Sequence, residues 1–169
     1  MDRTPPPYDE ALDVDFCDFM TLNQTLEEMY GPRGGRALAL RAGRASFKAA
    51  IQQVGASIGL TAEAIQALPP SARVRQLLQF LAQGTTAHQK GVTIEVKEEG
   101  DRLIYEVQQC SACWGRTGAD HCICHGTVGF LQEALEWAGV GDLYHVEERT
   151  CSAMQPQPTG SCQFAIYQD

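Results

Sequence analysis

The chain has 169 residues, a length that favours a single domain with a buried hydrophobic core. Its formal net charge of -8 argues against a general nucleic-acid or anionic-membrane surface, because phosphate groups repel an acidic protein. The sequence has neither an apolar run of about 18 residues nor a signal-peptide pattern, so we expect no membrane-spanning helix and a cytoplasmic location.

The N-terminal region combines a predicted arm with two predicted helices. Residues 1–14 are acidic and contain three consecutive prolines, so we expect a flexible arm before one ligand-binding domain over residues 15–169. A helical pattern over residues 16–30 ends at a Gly-Pro pair, and a longer helix is predicted over residues 33–57. The long helix carries an apolar stripe and a separate alanine stripe, which permits a close helix partner and predicts a homodimer through this helix and its neighbour.

The following elements predict an α+β fold. Thr61 is a good N-cap for a short helix, and the next helix is predicted from Ser71 to Gly84. Apolar residues then alternate on both sides of a turn at Gly100, which predicts a β-hairpin with one buried face. One further helix and two further strands are predicted over residues 126–138, 143–151 and 161–167. This order indicates N-terminal helices packed on an antiparallel sheet of about four strands.

Six of the seven cysteines lie in one stretch of the chain: Cys110, Cys113, Cys122, Cys124, Cys151 and Cys162. Thiols stay reduced in the cytosol, so clustered cysteines there indicate metal or redox chemistry rather than structural disulfides. Structural zinc takes four ligands in a tetrahedron, mostly thiolate or imidazole. The sequence offers two sets of four candidate metal ligands.

The first set comes from the predicted strands. Strand alternation directs Glu148 and Cys162 towards the apolar face of the sheet, from two strands that can pair. A buried carboxylate needs a hydrogen bond or a metal. Cys151 lies at the end of the same predicted strand as Glu148, and Cys124 precedes the predicted helix. These four residues can therefore meet under one corner of the sheet.

The second set is a compact group of four thiolates: Cys110, Cys113, Cys122 and Cys124. The first two have the spacing of a zinc knuckle or a redox pair, and the last two follow closely along the chain. This set also permits an iron–sulfur cluster or thiol redox chemistry. A further alternative is that the cysteines are free and behave as small hydrophobic residues.

Three motifs make the C-terminal half similar to a known family. They are CHGTVGFLQE from Cys124, VEERTC ending at Cys151, and CQFAI from Cys162. In these motifs the chain resembles the 4-vinyl-reductase domain family, whose relatives include subunits of the Golgi-tethering TRAPP complexes and haem–nitric-oxide-binding sensor domains. The likeness extends over residues 29–167, and its specific motifs begin at Cys124.

The resemblance implies a TRAPP-subunit-like fold and a small-molecule-binding or sensor module that acts alone. Aromatic-sensing members hold zinc at the matching positions, which implies Cys124, Glu148, Cys151 and Cys162 as ligands and about one zinc per chain. Because Cys113 lies outside the matched motifs, we expect its loss to leave the metal content nearly unchanged. The chain departs from the family pattern in the long, proline-rich spacer before Cys162.

The expected ligand is hydrophobic, aromatic or tetrapyrrole-like. Four aromatic residues are candidates for the pocket lining: Tyr105, Trp114, Phe130 and Tyr144. Other family members are linked to bacteriochlorophyll synthesis, so the alternative is a reductase or accessory protein in chlorophyll 4-vinyl reduction. We favour binding over catalysis, because no nucleotide-binding glycine motif follows a predicted strand.

Overall fold

The computed structural model describes residues 10–56, 59–88, 91–113, 115–155 and 161–168. Helices pack with a four-stranded antiparallel sheet, which confirms the predicted α+β class. The first nine residues of the predicted arm lie outside the described residues, and the first helix already begins at Glu10. Within the described residues, no helix has the length and apolar content that crossing a membrane requires.

Helix α1 spans Glu10–Val54 and contains the predicted break. Gly31 has φ 70° and ψ 172°, a left-handed backbone that favours glycine, and Pro32 follows it. The short helix α2, Ala62–Gln66, begins after Thr61, whose hydroxyl accepts a hydrogen bond from the Ala64 amide at 3.3 Å. The predicted N-cap is therefore confirmed.

Helix α3, Pro70–His88, continues past Gly84, where the sequence predicts its end. A glycine inside a helix costs only about 1 kcal/mol relative to alanine, and tertiary contacts can offset that cost. The last turn makes such a contact, because the Thr86 hydroxyl accepts a hydrogen bond from the Ile94 amide at 3.1 Å. The last turn of this helix is thus joined to the first strand by a hydrogen bond.

The sheet has the order β1-β2-β4-β3, built from β1 (Thr93–Glu99), β2 (Arg102–Gln108), β3 (His145–Thr150) and β4 (Ser161–Tyr167). All neighbouring strands are antiparallel. The predicted turn at Gly100 is confirmed, since Glu99 pairs with Arg102. This order places the last strand, β4, in the interior of the sheet between β2 and β3.

The sheet buries residues on both faces, although the hairpin pattern predicts one buried face. Ile104 pairs with Ala165 on the face opposite the main core, and both are fully buried. An ion pair of 2.8 Å between Arg149 and Glu99 joins the two edge strands on this side. Both faces of the two central strands are therefore buried at this point, and an ion pair between the edge strands lies on the face opposite the main core.

Helix α4, His125–Trp137, packs directly against α1. A Cβ atom on Gly43 would stand 1.9 Å from the Gly126 carbonyl oxygen, and one on Gly129 would stand 2.1 Å from that of Leu40. The main core lies between these helices, α3 and the inner face of the sheet. The close contact with α4 of the same chain is thus made at Gly43, whereas the alanines of the predicted stripe, Ala42, Ala45 and Ala49, are exposed.

Candidate metal centre

Five cysteines from separate parts of the fold converge under the sheet, and all five are buried: Cys110, Cys113, Cys124, Cys151 and Cys162. Cys110 follows β2, and Cys113 lies in a short 3-10 helix, Ser111–Cys113. Cys124 immediately precedes α4, and Cys151 follows β3. Cys162 lies on β4, opposite Val107 of β2. The sheet and the start of α4 therefore hold the cluster from several sides.

An irregularity in the sheet shapes one side of the cluster. Glu148 pairs with Phe164, whereas Thr150 pairs with Gln163, so β3 gains a residue relative to β4 between these pairs. Such a bulge changes the direction of the residues that follow it. It allows Glu148 and Cys151 to reach the same cluster, although they lie three positions apart along the chain.

The sulfur atoms are in contact. The Sγ atom of Cys124 lies 3.6 Å from that of Cys110, 3.8 Å from that of Cys151 and 3.6 Å from that of Cys162. The Cys113 and Cys162 sulfurs are 3.3 Å apart. Four thiolates at about 2.3 Å from one zinc ion in a tetrahedron would be about 3.8 Å apart. The cluster therefore has nearly the spacing that a bound metal ion requires.

Two groups of four donors meet within this cluster, and in each group all ligand atoms lie within 4.8 Å of one another. One group is Cys124, Glu148, Cys151 and Cys162, the same four residues that the family resemblance implies. The other is Cys110, Cys113, Cys124 and Cys162. The buried cysteine cluster can thus hold a metal ion.

Glu148 has one satisfied and one unsatisfied oxygen. Its Oε2 atom accepts a hydrogen bond from the Cys124 amide at 2.9 Å, whereas Oε1 is buried without a hydrogen-bond partner. Burial is the largest cause that raises the pKa of this carboxyl to about 8, and the negative charge of the neighbouring Cys151 thiolate is the second. A buried oxygen of this kind carries a free-energy penalty unless it finds a partner, and a metal ion would supply one.

The thiols divide into two classes. Hydrogen bonds to the neighbouring cysteines, with burial, raise the pKa of Cys113 and Cys124. Hydrogen bonds from Cys110 and the other thiols lower the pKa of Cys162, and those from Cys113 and Cys124 lower the pKa of Cys151 to about 7. The packed thiols thus favour thiolate at Cys151 and Cys162, and thiolate is the form that binds metal.

Cys122 belongs to neither group of donors. Its Sγ atom lies 3.5 Å from the Glu148 carbonyl oxygen and 3.8 Å from the Met154 sulfur. The second set predicted from the sequence is therefore not brought together in that form, because Cys162 takes the place of Cys122. Cys113, which the motifs leave outside the site, lies inside it.

A cavity of about 260 Å³ lies beside the cluster. Tyr105 and Phe130 line it, together with Gly43 of α1 and Gly126 of α4. Cys110 also lines it and so belongs to both the cavity and the cysteine cluster. Tyr144 lies in a different hollow, near Arg44, and Trp114 lies outside the described residues. Two of the four predicted lining residues therefore share one cavity.

The individual residues with which α1 and α3 line the cavity, Gly43, Ser46 and Thr85, were not predicted from the sequence. Glycines and small polar residues such as Ser46 and Thr85 carry no pattern that marks a cavity. The signals in the long helix were its apolar stripe and its alanine stripe, which indicate packing without showing which residues lie beside a cavity. The cavity results from tertiary packing around the contact of Gly43 with Gly126.

Fold and site together define an α+β protein with a buried cysteine cluster that can hold a metal ion. No family model and no curated protein matches the chain.

Proposed function

We propose that the protein is a small-molecule-binding or sensor module in which zinc in the cysteine cluster fixes one wall of an apolar cavity. The observation that carries this proposal is that Cys110 belongs to both the cavity and the cysteine cluster. It lines the cavity, and its Sγ atom lies 3.6 Å from that of Cys124. A metal bound by the cluster would hold this wall in place. Ligand in the cavity would in turn lie next to the metal centre.

The size and lining of the cavity support a small, largely apolar ligand. Val92, Ile94, Val107 and Phe130 supply apolar surface, and Ser46, Thr85 and Tyr105 are lining residues that carry hydroxyl groups. Ligand pockets in proteins are commonly apolar with a few polar groups that fix orientation. An aromatic compound of one or two rings suits this volume better than a complete tetrapyrrole does.

The spacing of the sulfur atoms supports a mononuclear metal unit such as zinc rather than an iron–sulfur cluster. An iron–sulfur cluster inserts iron and sulfide atoms between the thiolates, which moves the ligand sulfurs apart. Four pairs of sulfurs are here 3.3–3.8 Å apart, close to the edge of a zinc tetrahedron. The buried Oε1 of Glu148 is also a ligand type that zinc accepts.

We further propose membership of the 4-vinyl-reductase domain family, on the strength of the three sequence motifs. The residues of those motifs, Cys124, Glu148, Cys151 and Cys162, bring their ligand atoms into one group. That convergence supports the family proposal, since the motif positions are separated by up to 38 residues along the chain.

The test is metal analysis of the purified protein combined with mass spectrometry of any retained ligand. We expect zinc and a co-purifying apolar molecule that is released on denaturation. A protein that folds stably without metal would contradict the zinc proposal, and a brown protein with broad visible absorbance would favour iron–sulfur chemistry. Failure of a panel of aromatic compounds to raise the melting temperature would contradict the binding role.

A further inference from the structure

We infer that the cluster is a two-metal site in which Cys124 and Cys162 bridge two zinc ions. One ion is bound by Cys110 and Cys113 together with the bridging sulfurs, and the other by Glu148 and Cys151 together with the same sulfurs. This inference rests on the proposed zinc site and adds a second ion, a second ligand pair and bridging thiolates.

The two groups of donors have the composition that such a site requires. Each contains four donors, and the two groups share Cys124 and Cys162 and no other residue. Each group alone supplies the four donors that structural zinc takes, with ligand atoms within 4.8 Å of one another. A thiolate sulfur has more than one lone pair and can bind two metals at once, as the six cysteines and two zinc ions of Zn2Cys6 modules illustrate.

The sulfur contacts match this arrangement. Cys124 and Cys162 are 3.6 Å apart and are both fully buried at the centre of the cluster. The Cys110 sulfur lies 3.6 Å from that of Cys124, and the Cys113 sulfur lies 3.3 Å from that of Cys162. On the other side Cys151 contacts Cys124 at 3.8 Å, and Glu148 accepts a hydrogen bond from the Cys124 amide. The donors that belong to only one group thus lie on either side of the two cysteines that both groups share.

A single metal leaves part of this cluster without a role. If zinc used only Cys124, Glu148, Cys151 and Cys162, two buried thiols would remain against metal-bound sulfurs at ligand-like distances. If it used the other group, the buried Oε1 atom of Glu148 would remain without a partner. Two ions engage all six donors, and their four positive charges offset four of the six negative charges of the five thiolates and the carboxylate.

The two ions would occupy different surroundings. The ion bound by Cys110 lies on the cavity side of the cluster, because Cys110 lines the cavity. The ion bound by Glu148 lies towards the end of β3. Loss of the first ion would therefore alter the cavity wall, whereas loss of the second would leave that wall in place.

The first experiment counts zinc per chain by native mass spectrometry and elemental analysis after reconstitution with zinc alone. We expect two ions in the wild-type protein. The double variant Cys110→Ser/Cys113→Ser should keep one ion, and Glu148→Gln/Cys151→Ser should also keep one. Cys122→Ser is the matched control, since Cys122 belongs to neither group, and it should keep two.

The outcomes separate this inference from the proposed function. One zinc in the wild-type protein, unchanged in Cys110→Ser/Cys113→Ser, would overturn the two-metal site and leave the zinc proposal intact. No zinc at all would overturn both. Because a double variant can fail to fold, cadmium NMR of the substituted wild-type protein gives an independent reading. Two resonances with metal–metal coupling through the shared sulfurs are expected, and a single resonance would overturn the inference.

Discussion

The backbone of Gly43 in α1 lies against the carbonyl oxygen of Gly126 in α4 so closely that a Cβ atom at residue 43 would stand 1.9 Å from that oxygen. Gly43→Ala should therefore force the helices apart and destabilise the fold by about 1–3 kcal/mol. Both glycines also line the cavity, so ligand binding should weaken as well. Thermal denaturation of the metal-loaded protein measures the first effect.

Gly84→Ala is the matched control for this substitution. Gly84 lies inside α3, and a Cβ atom there would meet nothing within 4 Å. Alanine should raise stability by about 0.5–1 kcal/mol, because it lowers the entropy of the unfolded chain and is the better helix former. Equal melting temperatures for the two variants would contradict the close approach of α1 and α4.

The contribution of Glu148 to metal binding can be tested with Glu148→Gln. The amide fills the same inward space but is a poor ligand, so the affinity for metal at this side should fall by at least about 10-fold. Loss of the Cys162 thiolate should be more severe. The measurement is competition with a coloured chelator for the metal.

Glu147→Gln is the control for this experiment, because Glu147 is the preceding residue of the same strand and is exposed on the opposite face. It should leave the metal affinity unchanged. If both variants weaken binding equally, the effect comes from the net charge of the strand and not from coordination.

Much of this site follows from strand alternation, which placed Glu148 and Cys162 on the inner face of the sheet. The positions of Cys110 and Cys113 could not be predicted in the same way, because the loop after β2 has no repeating apolar pattern. Long-range contacts hold that loop, among them an ion pair of 3.1 Å between Arg116 and Glu27. A sequence pattern reports local geometry, whereas these contacts join segments far apart in the chain.

The stability of the protein at low pH should depend on Glu106. Lys97 and Ser161 donate hydrogen bonds to this carboxylate and, with Gln163, hold its pKa at about 2, below the usual value of 4.5. A lowered pKa stabilises the folded state above about pH 4.5, and this contribution is lost as the pH falls towards 2. Glu106→Gln should thus cost about 1 kcal/mol at neutral pH.

The measurement is the difference in unfolding free energy between the wild type and Glu106→Gln from pH 7 to pH 2. Glu106 lies on the face of the sheet opposite Cys162, so metal loss in acid should affect both proteins alike. The difference should shrink as the pH falls. A difference that is constant with pH would show that the carboxylate makes no net contribution through its charge.

The predicted homodimer can be tested at the first half of α1. Leu22 and Met29 are large, exposed apolar residues, and their spacing places them on one face of the helix beside exposed Tyr30. Leu22→Glu/Met29→Glu should convert a dimer into a monomer in light scattering. Leu143→Glu, a change at another exposed apolar residue, should leave the dimer intact. A wild-type monomer at high concentration would contradict the prediction.

The binding role of the cavity can be separated from the metal centre with Ser46→Trp. Ser46 is exposed and lines the cavity from α1, so a large ring there should occupy the entrance and exclude ligand. The zinc content should not change, because Ser46 belongs to neither group of metal donors.

Ala45→Trp is the control: it places the same ring on a neighbouring exposed position of α1 that does not line the cavity, and this variant should bind ligand normally. Mass spectrometry of the co-purifying molecule together with elemental analysis reads both properties in one sample. If Ser46→Trp retains as much ligand as Ala45→Trp, the ligand binds elsewhere, and the cavity beside Cys110 is not the binding site.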